Sequence, residues 1–530
     1  MTHDEGTTAA ISRRNLLQAG AVGGLLLGSG GLVAACGSGT PAPNTSATGA
    51  PNAKPKHGGR LRVGLSGGTS SDTVDAQLLT NFLDQARLLQ LYNAPVELDN
   101  NSQLKLSLAE ELTPNSTATE WVMRVRPDVT FHNGKSLTAE DIIFSFQRIM
   151  NPKSPKFGAA QLSLLDWRHL KKLDNRTVKF PFTSPYSAFF QLLADYNYFI
   201  VPVGYDPKHP IGTGPFKYKS FTPGQQSVFV RNENYWEHGL PYVDEVEITD
   251  FADETSQVNA LISGQVDAID SLSAASISSL SSQGQKVVIS KSGNSVPFTM
   301  RVDVPPLNDV RVRQALRYLV DRKQMLKIVF GGYGLIGNDL FSINDPDFDH
   351  NIPQREQDIP RAKSLLRRAG KSNLTLQLTT SGIAPGAVQA SEVFAQQAKA
   401  AGVTVNVRQV TPTDLFGPNF LRWSFAQDNW APTYFLTQVG EGQVPGAPFN
   451  ESHFNNTQFN KLYRAALATV DAAKQRQIVH EMQVIYWNEG GYIIPFFTPF
   501  IDAHSPKLHG VVPSKQVPLS NFGFKTFWFA

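Results

Sequence analysis

The stretch Trp121–Met150, WVMRVRPDVTFHNGKSLTAEDIIFSFQRIM, decides how the rest of the chain is read. It opens with alternation. Trp121, Met123 and Val125 share one face, and Val122, Arg124 and Arg126 the other, the pattern of a half-buried strand. Pro127 ends the run because it cannot donate to a ladder. Phe131-His132-Asn133-Gly134 predicts a turn, with Gly134 able to take positive φ. Thr138 is a helix N-cap with Asp141 three residues on, close to a capping box. Ile142, Ile143, Phe146, Ile149 and Met150 then recur at helical spacing until Asn151-Pro152 stops the helix. The unit is strand, turn and capped amphipathic helix.

Working outward, the same grammar repeats. Arg60 to Leu65 reads as an opening strand, and Leu78 to Leu91 as a helix. Thr177 to Phe180 reads as a strand after a helical piece, and Ser187 to Tyr198 as an aromatic helix. Val243, Val246 and Ile248 mark a strand. Asp309 and Asp321 predict N-caps of two consecutive helices, the second closed by Gly331-Gly332. Leu374, Leu376 and Leu378 mark a strand, Ala390 to Ala401 a helix stopped by Gly402, and Val403, Val405 and Val407 the next strand. Phe459 to Val470 and Asp471 to Trp487 read as helices, and Ile493 to Phe497 as an apolar strand. Repeated strand-helix-strand units with glycine stops predict an α/β fold. At 530 residues, two or three domains are expected.

Several motifs also carry a resemblance. Val125 to Phe146, Leu108 to Thr113, Gly212-Thr213-Gly214-Pro215-Phe216, Arg231 to Trp236, Gln257 to Asp270 and Pro305 to Leu316 resemble, in order, the peptide/nickel class (family 5) of solute-binding proteins that feed ABC importers. The match runs with gaps from about Gly58 to the C-terminus. It implies a two-lobed, periplasmic-binding-protein-like type II fold with an additional subdomain in the first lobe. The implied layout is a first-lobe core of residues 58–93, 208–299 and 497–530, a subdomain of 94–207, and a second lobe of 300–496. It also implies a monomer, without cofactor, that delivers its ligand to ABC permease subunits driven by cytoplasmic ATPases.

The first 57 residues are read as address and tether. Ser12-Arg13-Arg14-Asn15-Leu16-Leu17 resembles a twin-arginine export signal. Ala19 to Ala35 is an apolar run of 17 residues broken by six glycines, short for a membrane span and typical of a signal core. Leu32 to Cys36 resembles a lipobox, which implies lipidation of Cys36, the sole cysteine, and anchoring at the outer face of the membrane. Residues 37–57 are small and polar, a flexible linker.

The formal charge of +3, from 48 basic and 45 acidic residues, excludes a nucleic-acid or anionic-surface role built on bulk charge. No phosphate-binding loop or dinucleotide fingerprint occurs, and the eleven histidines form no H-x-x-x-H, so no metal site is expected. Gly64-Leu65-Ser66-Gly67-Gly68 satisfies the G-x-S-x-G pattern of serine hydrolases, but no apolar helical run follows it, which leaves that a remote alternative.

Recognition is placed at Trp423–Leu436, WSFAQDNWAPTYFL, an aromatic stretch read as a loop with one acid, Asp428. Taken alone, Asp428 is an Asx-turn residue. In oligopeptide-binding members of the family, an Asp at this spacing from Pro-Thr and Phe-Leu pairs with the peptide's α-ammonium group. The resemblance therefore assigns that role to Asp428, with Pro432-Thr433 and Phe435-Leu436 in register. Trp423, Phe425, Trp430 and Tyr434 are candidate aromatic walls; Ser66 and Phe497 are candidate cleft residues. Gln427, Ala431 and Arg301-Val302 depart from the family's usual residues, which leaves a sugar, an opine or a nickel or iron chelate as alternative cargo.

Overall fold

A computed structural model describes residues 54–79 and 81–530. The export signal, Cys36 and all but the last residues of the linker lie outside the described residues. No helix among the described residues is long and apolar enough to cross a membrane.

Two sheets organise the molecule. The larger runs in the order Lys286–Ser295, Phe496–His504, Ala268–Ile269, Arg60–Ser66, Glu245–Phe251, Gln226–Arg231, Phe216–Thr222, with Leu335–Ile336 added beside Phe496–His504. Arg60–Ser66 is parallel to both its neighbours. The smaller sheet runs Thr404–Gln409, Thr375–Thr380, Phe425–Gln427, Phe298–Met300, Tyr492–Ile493. Each sheet has its own apolar core, around Leu61, Val63, Phe229 and Ile248 in one and Phe298, Leu316, Leu378 and Phe394 in the other.

The chain passes between the sheets twice within a few residues. Lys286–Ser295 belongs to the larger sheet and Phe298–Met300 to the smaller, with Val296-Pro297 between them. Tyr492–Ile493 belongs to the smaller and Phe496–His504 to the larger, with Ile494-Pro495 between them. Each proline removes a ladder donor where the pairing must change sheets. The expected single strand from Ile493 to Phe497 is therefore two strands in two sheets.

The opening stretch folds as its pattern requires. Glu120–Val125 is the second strand of a four-stranded sheet, with Trp121, Met123 and Val125 buried. Ala139–Ile149 is the helix. Asp141 accepts from the Thr138 N–H (2.9 Å) and hydroxyl (2.7 Å), and takes Lys135 Nζ at 2.6 Å. One buried carboxylate thus fixes both the turn and the helix start. His132 pins this unit to the larger-sheet core. Its ring accepts from the Gly212 N–H (3.2 Å) and donates to the Gly214 carbonyl (3.1 Å), and burial pushes its pKa down to about 4. A Cβ on Gly212 would sit 2.0 Å from the Leu91 carbonyl oxygen, so the glycine motif is a close-packing requirement.

Other expectations need correction. The helix read from Leu78 starts at Phe82, where the Asn81 side chain caps it by accepting from the Asp84 N–H at 2.7 Å. The helical piece before Thr177–Pro181 is a single 3-10 turn, Trp167–His169. Of Ser187 to Tyr198 only Phe189–Leu192 is helical. Its aromatic residues serve two cores, Phe189 and Tyr198 beneath the four-stranded sheet and Tyr196 beneath the larger sheet, and one straight helix cannot reach both. Asp309 and Asp321 cap Val310–Tyr318 and Arg322–Phe330 as expected, and Gly331 closes the latter at φ 64°.

Candidate functional site

The stretch placed at the centre of recognition is not a loop throughout. Phe425–Gln427 is the middle strand of the smaller sheet, paired with Phe298–Met300 on one side and touching Thr375–Thr380 on the other. Phe435–Gly442 is a helix. The aromatic and apolar content of the stretch follows from that burial.

The residues between strand and helix are fastened to the sheet crossing. The Asp428 N–H donates to the Pro297 carbonyl at 3.2 Å. Trp430 and Ser295 exchange both backbone hydrogen bonds, at 2.9 and 3.0 Å. Asn294 Nδ2 donates to the Asn429 side chain (3.1 Å) and to the Thr498 hydroxyl (2.9 Å). Asp428 therefore stands where the two halves of the molecule join, and any motion about the crossing moves its surroundings.

Two cavities flank this stretch. The first is lined by Thr299, Leu415, Phe420, Leu421, Trp423, Ala426, Gln427, Asp428 and Glu451. Asp428 is 1% exposed, Gln427 2% and Glu451 5%. The Asp428 carboxylate accepts from the Asn429 N–H at 2.7 Å, the next residue along rather than the second one that an Asx turn uses. The Glu451 carboxylate accepts from Trp430 Nε1 (3.0 Å) and the Tyr492 hydroxyl (2.6 Å). Burial, then the Glu451 charge, then further groups including Asp428, push the Tyr492 pKa up. Gln427 Oε1 accepts from the Thr380 hydroxyl at 2.5 Å, while its Nε2 has no hydrogen-bond partner. An unpartnered buried amide costs about 1–3 kcal/mol.

The second cavity is lined from both halves, by Ser102, Gly293 and Gln516 on one side and Ser342, Asp345, Thr433 and Tyr434 among those on the other. One hydrogen bond crosses it, from the Tyr434 hydroxyl to the Ser102 carbonyl at 2.8 Å, while Gln516 Nε2 donates to the Ser102 hydroxyl at 2.6 Å within one side. Asp345 accepts from the Phe435 N–H at 2.6 Å at the start of the helix, and burial pushes its pKa up to about 6.

The sequence-predicted site residues thus do not converge on one place. Asp428 and Trp423 line the first cavity; the Trp423 indole also donates to the Leu415 carbonyl at 2.9 Å. Trp430 stands behind it, holding Glu451. Tyr434 lines the second cavity. Phe425 packs against Phe298 and Phe394 in the smaller-sheet core, Phe497 is buried beside Leu335, and Ser66 is exposed at the end of its strand with its N–H on Asp270. Coil, not helix, follows Ser66, so the nucleophile-elbow geometry is absent there. Glu451 escaped the sequence reading. It lies 23 positions beyond Asp428, and only the fold brings it to the same cavity.

Comparison with known proteins places this architecture. Residues 103–458, about two thirds of the chain, match the family model for bacterial extracellular solute-binding proteins, family 5. The chain belongs to that family. Its members bind small ligands or peptides outside the cytoplasm, work with ABC permeases, and are not enzymes. The chain is 24% identical over 482 residues to heme-binding protein A of Haemophilus influenzae, covering 83% of this chain and 86% of that one. The oligopeptide-binding protein AppA from Bacillus subtilis, solved with a nonapeptide, superposes with a TM-score of 0.74 at 21% identity, covering 90% of this chain and all of AppA. AgaA from A. tumefaciens R10, solved with agropinic acid, gives a TM-score of 0.76 at 22% identity, covering 89% and 99%. The family 5 protein thus has the two-lobed type II fold, the lobes being the two sheet-centred halves.

Proposed function

We propose that this family 5 protein captures peptides, di- or oligopeptides, between its lobes and hands them to the importer's membrane subunits. The observation that carries the reading is Asp428, a buried carboxylate lining a cavity at the crossing between the sheets. An ionised carboxylate only accepts, and it suits an α-ammonium with three donors. In a closed, dry cleft such a charge-assisted bond contributes about 1.5–3 kcal/mol.

In this reading residues 58–93, 208–299 and 497–530 form the first lobe, 94–207 its subdomain and 300–496 the second lobe, with the changes of sheet at Val296-Pro297 and Ile494-Pro495 acting as the hinge. Closure is a hinge motion that ligand contacts to both lobes stabilise. The protein works as a monomer, exported through a twin-arginine signal and held at the membrane by lipid on Cys36.

Relatives whose names and structures carry heme and agropinic acid support a second reading, in which the cargo is a non-peptide solute. Mass spectrometry of the ligand co-purifying with the protein separates the two. A mixture of short peptides is expected, and a single non-peptide species would overturn the peptide reading.

A further inference from the structure

We propose that Asp345 couples closure of the two halves to the uptake of a proton, so that the protein holds a peptide more tightly in acid than at neutral pH. The inference adds a regulation to the capture described above, and its test, made with a peptide, rests on the peptide reading.

Asp345 stands where contact between the halves takes it out of water. It lines the second cavity, whose wall comes from Ser102, Gly293 and Gln516 of one half and from Ser342, Thr433 and Tyr434 of its own. It is 8% exposed. Its carboxylate accepts from the Phe435 N–H at 2.6 Å and the Asp347 N–H at 2.8 Å, and it forms no ion pair among the described residues. Tyr434, one residue before Phe435, makes the bond to the Ser102 carbonyl across the cavity. Asp345 thus starts the helix Phe435–Gly442 at the point where the halves touch. Two N–H donors favour a charged carboxylate and burial disfavours it. Burial wins, and the pKa of Asp345 is pushed up to about 6.

The charges around Asp345 do not offset that cost. On its own loop, Asp347 repels it and is itself paired with Arg476 of helix Ala472–Glu489 at 2.7 Å. His480 on that helix lies 4.0 Å from Asp349. On the hairpin that carries Ser102, Asp99 pairs with Lys105 at 2.9 Å. Lys291, near Gly293, and Lys515, beside Gln516, are exposed. Burial holds the Tyr434 phenol above its usual range, and Glu441 lies near the far end of the helix that Tyr434 precedes. When the halves part, Ser102, Gly293 and Gln516 leave the cavity wall and water reaches the carboxylate, so its pKa returns toward the ordinary value of about 4. A group with the higher pKa in the closed form binds a proton on closing. Closure is therefore favoured as pH falls through about 6 toward about 4, and that gain is lost as pH rises through about 6. Asp250 and Asp502, also pushed up by burial, bond to Arg87 and to the Leu519 N–H inside the larger-sheet half, which closure leaves intact.

The test is calorimetry of Ala-Ala-Ala on the full chain, freed of co-purified ligand, at pH 5 and pH 7 in two buffers of different ionisation enthalpy. The wild type is expected to take up more than about half a proton per peptide at pH 5 and less than about 0.2 at pH 7, and to bind about tenfold more tightly at pH 5. Asp345→Asn, which keeps an acceptor for the Phe435 N–H, is expected to lose the uptake and to bind equally at the two values. Should Asp345→Asn fail to fold, the wild type decides: its uptake must peak near about pH 5, midway between the open and closed pKa values, and an uptake centred elsewhere would overturn the proposal. Binding of Ala-Ala-Ala without proton uptake at pH 5 would overturn the proposal and leave the peptide reading standing. No binding at either pH would overturn both. An uptake that survives Asp345→Asn would remove Asp345 from the role.

Discussion

The two cavities beside the crossing differ in who builds them. The one at Asp428 and Glu451 is lined entirely from residues 299–451, the half that holds the smaller sheet. The one at Tyr434 is lined from both, with Ser102, Gly293 and Gln516 facing Ser342, Asp345 and Tyr434. A pocket built by one lobe keeps its shape whether the lobes are apart or together, so it can recognise. A cavity built by two exists only when they meet, so it can only lock. Eight residues, Gln427 to Tyr434, run from one to the other. The difference teaches that affinity in this protein has two separable sources, a charge held ready and a closure made afterwards.

The predictions probe that separation. Asp428→Ala carries the largest effect: peptide affinity falls by about ten- to 150-fold, the equivalent of the 1.5–3 kcal/mol of a charge-assisted bond, with the fold retained by circular dichroism. An unchanged dissociation constant would erase the distinction between the cavities. Asp502→Asn tests the scaffold both share. Asp502 lies in Phe496–His504, and burial, opposed by the Leu519 N–H and reinforced by the Asp270 charge, pushes its pKa up to about 8. The folded chain therefore keeps a proton that the unfolded chain has lost, and stability falls as pH rises toward 8. Between pH 6.5 and 8, above the range where His132 titrates, the wild type loses up to about 1.4 kcal/mol per pH unit. Denaturant midpoints of Asp502→Asn should be nearly flat across that window, and an identical slope would refute the assignment. Tyr434→Phe carries the smallest effect. It deletes the bond to the Ser102 carbonyl, worth about 0.5–1.5 kcal/mol, and weakens every peptide by about two- to tenfold whatever its first residue. An unchanged affinity would show that the Tyr434–Ser102 bond does not hold the lobes together on the ligand.

Much of this could be read before any coordinates, and what escaped has a common cause. Trp121–Met150 was legible because its information is local: Thr138 and Asp141 are three positions apart, and alternation and helical spacing need only their own neighbours. The caps at Asp309 and Asp321 were legible for the same reason. Phe425 reads as a loop aromatic but lies in a central strand because Met300, paired with it, and Thr379, paired with Ala426, come from distant parts of the sequence. Ile493 to Phe497 reads as one strand because apolar character does not reveal which sheet a residue joins; only Pro495 hinted at the break. The resemblance located Asp428, but Glu451 and Ser102 reach the two cavities through pairings no local pattern encodes.

The central claim, that a buried acid at the lobe crossing holds the ligand's free ammonium, is tested most directly by calorimetry of one tripeptide against its N-acetylated form on the wild-type chain. Acetylation removes the α-cation and little else. At least a tenfold loss of affinity on acetylation is predicted. Equal binding of the two forms would contradict the account.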